Sequence, residues 1–189
     1  NPPVTSRISL AMYAGISKNR IALKKSASGG VFAALASLVL EHDGVVFGCA
    51  WNKEMEPRHV CVGNSSNIKI EQLQGSKYVQ SNVGNSYIQT KEYLEQGRLV
   101  LYTGTPCQIA ALKSYLGKQY ENLLTADLIC HGVPSAVFFE GYIAWLEAKL
   151  GGKVCDFVFR DKAKGWRLVG KVVYKKDGQI REKSIPLIR

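Results

Sequence analysis

From residue 26 onward the apolar positions alternate between helical spacing and short continuous runs. Val31 to Glu41 carries Ala and Leu at helical spacing. The small-residue turn Ser26-Ala27-Ser28-Gly29-Gly30 leads into it, and serine there reads as the helix cap. Gly44 then opens Val45–Trp51, an apolar run that predicts a buried strand, and Arg58–Val62, bounded by Pro57, predicts another. Residues 64–74 are polar and weakly helical, 75–81 read as a loop, and Asn85–Glu95 predicts an amphipathic helix ended by Gly97. Leu99–Tyr102 is a short apolar strand. Thr103-Gly104-Thr105-Pro106 stops it, and Cys107–Leu116 follows as a helix with proline near its first position. Leu123–Cys130 predicts a further strand, His131–Pro134 a loop, and Ser135 the cap of a helix running to Leu150.

Past Gly151-Gly152 the pattern changes. Val154–Arg160, Leu168–Lys175 and Arg181–Leu187 read as strands, with Asp177-Gly178 a hairpin turn between the last two. The expected fold is therefore α/β, a mostly parallel or mixed sheet with flanking helices, plus an antiparallel C-terminal strand addition. The expected organisation is an extended lead-in over 1–25, an α/β core over 26–152, and a strand-rich part over 153–189 that continues past the last residue. The chain starts without a methionine, so a fragment is expected.

Composition narrows the function classes. The 189 residues are 46% hydrophobic and 21% charged, which supports a packed core and excludes wholesale disorder. The longest apolar stretch, Val31–Leu40, falls well short of the roughly 18–20 residues that span a bilayer. No secretory leader is visible, and the five cysteines are odd in number and scattered, so a cytoplasmic, reducing setting is expected. Net charge is +10 and concentrated at the end: residues 153–189 hold eleven Lys/Arg against four Asp/Glu. Such a segment implies an anionic partner, whether nucleic acid, a membrane surface or a phosphorylated cofactor.

Five segments could carry chemistry. The Ser26–Gly30 turn at a helix start suits an anion, or is a plain capped turn. Thr103-Gly104-Thr105-Pro106-Cys107-Gln108 lies at the C-terminal end of a strand, the edge where open α/β sheets bind ligands. Cys107 in the first helical turn suits a nucleophile, a redox thiol or a metal ligand, or is an inert thiol. Asp127–Ser135 repeats that arrangement with Cys130 and His131, so two parallel strands would bring Cys107 and Cys130 to one edge. Gly75–Ser81 sets Lys77 beside Tyr78, a pair suited to a phosphate or a flat ring. Phe159–Lys162 and Gly165-Trp166-Arg167 interleave bases and aromatics, as nucleotide contacts do, or form a solvated hairpin face. There is no G-x-S-x-G, no Walker A sequence, no C-x-x-C, no His-x-x-x-His and no C-x5-R. Asn64-Ser65-Ser66 matches a glycosylation sequon by chance.

Together SASGGVFAALA (26–36), GVVFGCAW (44–51), GSKYVQS (75–81), VLYTGTPCQIAALKSYL (100–116), DLICHGVPS (127–135) and FRDKAKGW (159–166) resemble the beta subunit of coenzyme F420 hydrogenase/dehydrogenase. The resemblance implies an FAD- and iron–sulfur-dependent oxidoreductase, with coenzyme F420 or a related acceptor as substrate. It implies Ser28, Gly29 and Gly30 at the FAD phosphates and Lys77 and Tyr78 near the flavin. It implies Thr103, Gly104, Thr105 and Gln108 lining the same pocket, and Cys107 and Cys130 as ligands of a 4Fe-4S cluster. The implied partner is a ferredoxin-like module or subunit as electron donor. A basic rim around an anionic redox pocket then accounts for the charge. The competing readings are a nucleic-acid-binding module using residues 153–189 and a cysteine-nucleophile transferase using Cys107 with His131.

Overall fold

Asn19 starts the first regular element by accepting from the amides of Ile21 (3.0 Å) and Ala22 (3.1 Å) at its Oδ1. The helix it caps is α1 (Arg20–Lys25), so the lead-in expected to be extended contains a helical turn. The computed structural model describes residues 11–63, 66–163, 165 and 169–186. Ser26 is not the cap of the following helix: its hydroxyl donates to Ala22 O (2.8 Å) at the end of α1. The residue that enters α2 (Val31–Glu41) is Gly30, in the left-handed region at φ 83°. A serine there would strain the backbone, so glycine takes the capping position. Ala33, Ala36 and Val39 form the buried stripe of α2.

The first sheet has the order β2-β1-β3-β4. β1 (Val45–Trp51), β3 (Val100–Gly104) and β4 (Leu123–Asp127) run parallel, and β2 (Pro57–Val62) is antiparallel to β1. The sheet is thus mixed, as the pattern predicts. Helix α2 and the short α3 (Ile70–Leu73) pack on β1. Helices α4 (Ser86–Glu95) and α5 (Pro106–Leu116) pack on β3. Two apolar clusters divide accordingly. Ala36, Val39, Val46, Leu73 and Leu101 form one, and Phe47, Leu94, Tyr102, Ile109 and Leu112 the other. That alternation of neighbouring residues is the period of a strand buried on both faces.

β4 is shorter than the apolar run suggests. It ends at Asp127, and Leu128, Ile129 and Cys130 leave the sheet as an exposed segment, Ile129 at 92% exposure. The run Leu123–Cys130 mixes strand and loop because apolar character alone does not show where the ladder stops. Helix α6 (Ala136–Leu150) starts at Ser135, whose Oγ accepts from Phe138 N (3.3 Å), and ends at Gly151 in the left-handed region. Its buried face is Phe139, Ile143, Leu146 and Leu150.

The C-terminal strands make a sheet of their own, β5-β6-β7, antiparallel throughout. These are β5 (Lys153–Val158), β6 (Val169–Lys176) and β7 (Gln179–Pro186), the last two joined at Asp177-Gly178 with both residues at positive φ. The third apolar cluster links the two sheets through α6. It gathers Met55, Val79, Phe139, Ile143, Val154, Phe157 and Val172, with Trp51 packed against it. Among the described residues no helix is long and apolar enough to cross a membrane.

Candidate functional site

The parallel pairing of β3 with β4 sets Gly104 opposite Asp127 at the C-terminal end of the sheet. Cys107 stands three residues beyond Gly104 and Cys130 three beyond Asp127, so both thiols leave from one edge of adjacent strands, and both are exposed. Each sulfur touches its own turn. Cys107 Sγ lies 3.1 Å from Thr105 Oγ1, and Gly132 N donates to Cys130 Sγ (3.4 Å). No hydrogen bond among the described residues joins Cys107 to His131, which is exposed in its loop.

The turn that carries Cys107 is held from behind. Gln108, buried in the first turn of α5, accepts from Thr105 N at Oε1 (3.0 Å). Its amide donates to Ser81 Oγ (2.9 Å) and to Ser81 O (3.2 Å). Ser81 Oγ also meets His59 Nδ1 (3.0 Å), and His59 Nε2 meets Thr103 O (2.9 Å). A carbonyl only accepts, which assigns the ring proton to Nε2 and leaves Nδ1 to accept from Ser81. One directed chain therefore ties β2, the end of the 75–81 loop and the end of β3. Burial pushes the His59 pKa down, with the Thr103 carbonyl opposing it. Thr103 Oγ1 is likewise committed, donating to Phe47 O (2.9 Å). His59 lies in no chemical motif. Its partners are 22 and 44 residues away, so no local signal marks it.

Lys77, from the same loop, faces elsewhere. It borders a cleft of about 610 Å³ walled by α1, the turn 74–77, the end of β5 and residues 160–162. Ser26, Ala27, Gly75, Ser76 and Lys77 line it, while Ser28, Gly29, Gly30, Tyr78, Thr103, Gly104, Thr105 and Gln108 do not. The residues expected to share one pocket thus fall into two places that meet at the 75–81 loop. Cys49 on β1 lies near both: burial raises its pKa, while the charge of Lys77 and the neighbouring Ser81 side chain lower it. Tyr78 is exposed and sets its ring edge-on to Phe159. The Gly29-Gly30 turn is covered by the chain itself. Ser17 N donates to Gly29 O (2.7 Å), and a Cβ on Gly29 would come within 2.6 Å of Gly15 O. Trp166 and Arg167 lie outside the described residues, as do Asn64 and Ser65.

Residues 97–187 match the family model for the C terminus of the coenzyme F420 hydrogenase/dehydrogenase beta chain. The matched segment, just under half of the chain, is similar to that family. The match takes in both cysteine turns, α6 and all three strands of the C-terminal sheet, and it agrees with the resemblance carried by the motifs. No curated protein matches the chain.

The family implies cofactors whose fit the residues can test. A four-iron cluster takes four thiolates. The two exposed cysteines at one edge are chemically suited, but among the described residues no group of three or more His, Cys, Asp or Glu side chains is gathered. The donor set among these residues is incomplete. For an anionic flavin nucleotide the fit is better. Lys77 is half-buried on the cleft, its amine donating to Gln72 O (3.1 Å) and Gln74 O (3.2 Å) with a third N–H remaining.

Proposed function

We propose that this chain is part of an iron–sulfur flavoprotein oxidoreductase that passes electrons between a 4Fe-4S cluster, FAD and a deazaflavin or related acceptor. The observation that carries the reading is the pair Cys107 and Cys130, exposed at the ends of two hydrogen-bonded parallel strands inside the family match. Two soft thiolate donors on one edge suit shared ligation of a metal cluster. They would be this chain's share of the ligands. A ferredoxin-like module or subunit, the electron donor, would supply the rest.

When bound, FAD supplies the exchange between hydride and single-electron chemistry. The chain's own residues bind and position. Lys77 would offer positive charge to the cofactor, with Tyr78 near the flavin ring. Thr103, Gly104, Thr105 and Gln108 would act by fixing the turn before Cys107, since Gln108 engages Thr105 and Ser81, and Thr103 engages Phe47 and His59.

The test is an anaerobic absorbance spectrum of the full-length protein with iron and flavin counts. Flavin bands with a broad iron–sulfur shoulder are expected. Cys107→Ser and Cys130→Ser should each lose cluster iron. A colourless, iron-free protein overturns the reading, and undiminished iron in both variants overturns the ligand assignment.

A further inference from the structure

The cleft holding Lys77 carries an excess of positive charge. Among the described residues six cations line it against three carboxylates. Two of the cations sit beside carboxylates: Lys25 pairs with Glu71 (3.5 Å) and Lys171 with Glu182 (3.1 Å). A third, Lys162, donates to the carbonyls of Leu23 (3.3 Å) and Ser28 (3.1 Å) and so ties the wall to α1. Lys24, Lys77 and Arg160 line the cleft together with the two other carboxylates, Asp156 and Asp161. Both of these are turned to nearby backbone, Asp156 Oδ1 accepting from Phe157 N (2.8 Å) and Asp161 Oδ1 from Ala163 N (3.4 Å).

The surplus is also directed. Lys24 comes from α1, Lys77 from the 75–81 loop, and Arg160 from the chain leaving β5, so positive charge enters from three sides. Burial lowers the pKa of Lys77, with the nearby Cys49 and Asp156 opposing it, as expected of an ammonium group drawn partly out of water. A planar carboxylate suits one guanidinium. A tetrahedral dianion with three terminal oxygens suits donors converging from several directions. The volume is that of a small-molecule site, and the concave shape differs from the open stripe that tracks a nucleic-acid backbone.

We propose that this cleft binds the phosphoryl dianion of a small phosphorylated ligand, with Lys24, Lys77 and Arg160 as donors. The inference goes beyond the flavin reading and stands if the chain binds no flavin. Each phosphate of FAD is bonded through two of its oxygens and has no terminal dianion, so the ligand is a small molecule with a terminal phosphoryl group, distinct from FAD.

Inorganic pyrophosphate titrated calorimetrically into the flavin-free 189-residue chain tests it, at fixed ionic strength. The wild type should bind, and the Lys24→Gln/Arg160→Gln double variant should bind at least about tenfold more weakly, one charged hydrogen bond being worth that much. Lys183→Gln, on exposed β7 and away from the cleft, should bind as the wild type does. Circular dichroism confirms that the double variant is folded. FAD then tells this ligand from the flavin cofactor: pyrophosphate that still binds alongside FAD supports a separate phosphorylated ligand, and FAD that abolishes the pyrophosphate heat makes the cleft a flavin-nucleotide site and overturns the proposal. No binding by the wild type overturns the proposal. So does an equal loss in Lys183→Gln, or a single-stranded oligonucleotide that binds more tightly than pyrophosphate and is equally weakened in all variants.

Discussion

His59 lies nearly parallel to the Tyr102 ring, 5.3 Å between centroids, and both its nitrogens are engaged. Protonating Nδ1 would take away the acceptor of Ser81 and place a charge where burial disfavours it. The folded pKa lies below the unfolded value of about 6.5, so the unfolded chain binds the proton first. Stability from this site is complete above about pH 6.5 and is lost as pH falls from there toward the folded value. Urea unfolding of the wild type should therefore lose midpoint between about pH 7 and 5, and His59→Gln should flatten that slope. Gln108→Ala leaves Thr105 N and Ser81 without their partner and should cost about 1–3 kcal/mol in the same assay. It should also speed alkylation of Cys107, because the turn carrying that thiol loses its anchor.

Gly44 shows what an element junction demands. It joins α2 to β1, and a Cβ there would lie 2.6 Å from both Val39 O and Leu99 O, both backbone atoms. Gly44→Ala should shift helix and strand apart and cost about 2–3 kcal/mol or more, read as a lowered unfolding midpoint. Helices α5 and α6 are legible in the chain because each carries its own start and stop chemistry. Ser135 and Gly151 bracket α6, and Pro106 and Gly117 bracket α5. The end of β4 is not legible, because Leu128 and Ile129 are as apolar as Leu123 and Leu124. Only the register with β3 shows that the ladder stops at Asp127. The cap of α2 escapes the local pattern for a related reason: Ser26 fits the preference for an N-cap, yet its hydroxyl turns back to α1.

At the scale of the molecule, Trp51 binds the two sheets together. It ends β1, stacks on Phe139 of α6 (5.2 Å, 9°), and donates from Nε1 to Phe157 O of β5 (3.1 Å). Trp51→Ala removes that stack and leaves a carbonyl without its donor, so a loss of about 3–5 kcal/mol is expected. The unfolding transition should broaden or split if the sheets then unfold separately, which calorimetry would show. Trp51 also lines the basic cleft, so the joint between the sheets forms one wall of the proposed anion site.

The excess of basic residues after residue 152 is visible in the chain alone, as are the alternation of strands and helices and the two cysteine turns after predicted strands. These are local properties, encoded in spacing, caps and composition, and neighbours along the chain suffice to express them. Folding decided what those residues face. It bore out the expected placing of Cys107 and Cys130 on one edge through the β3–β4 register, and it alone drew His59, Ser81, Thr103 and Gln108 into one hydrogen-bonded chain. It also parted Lys77 from the Thr103–Gln108 turn and joined it instead to Lys24 and Arg160. Each of those contacts spans tens of residues, and its partner is chosen by which backbones pack together rather than by any signal carried in one segment.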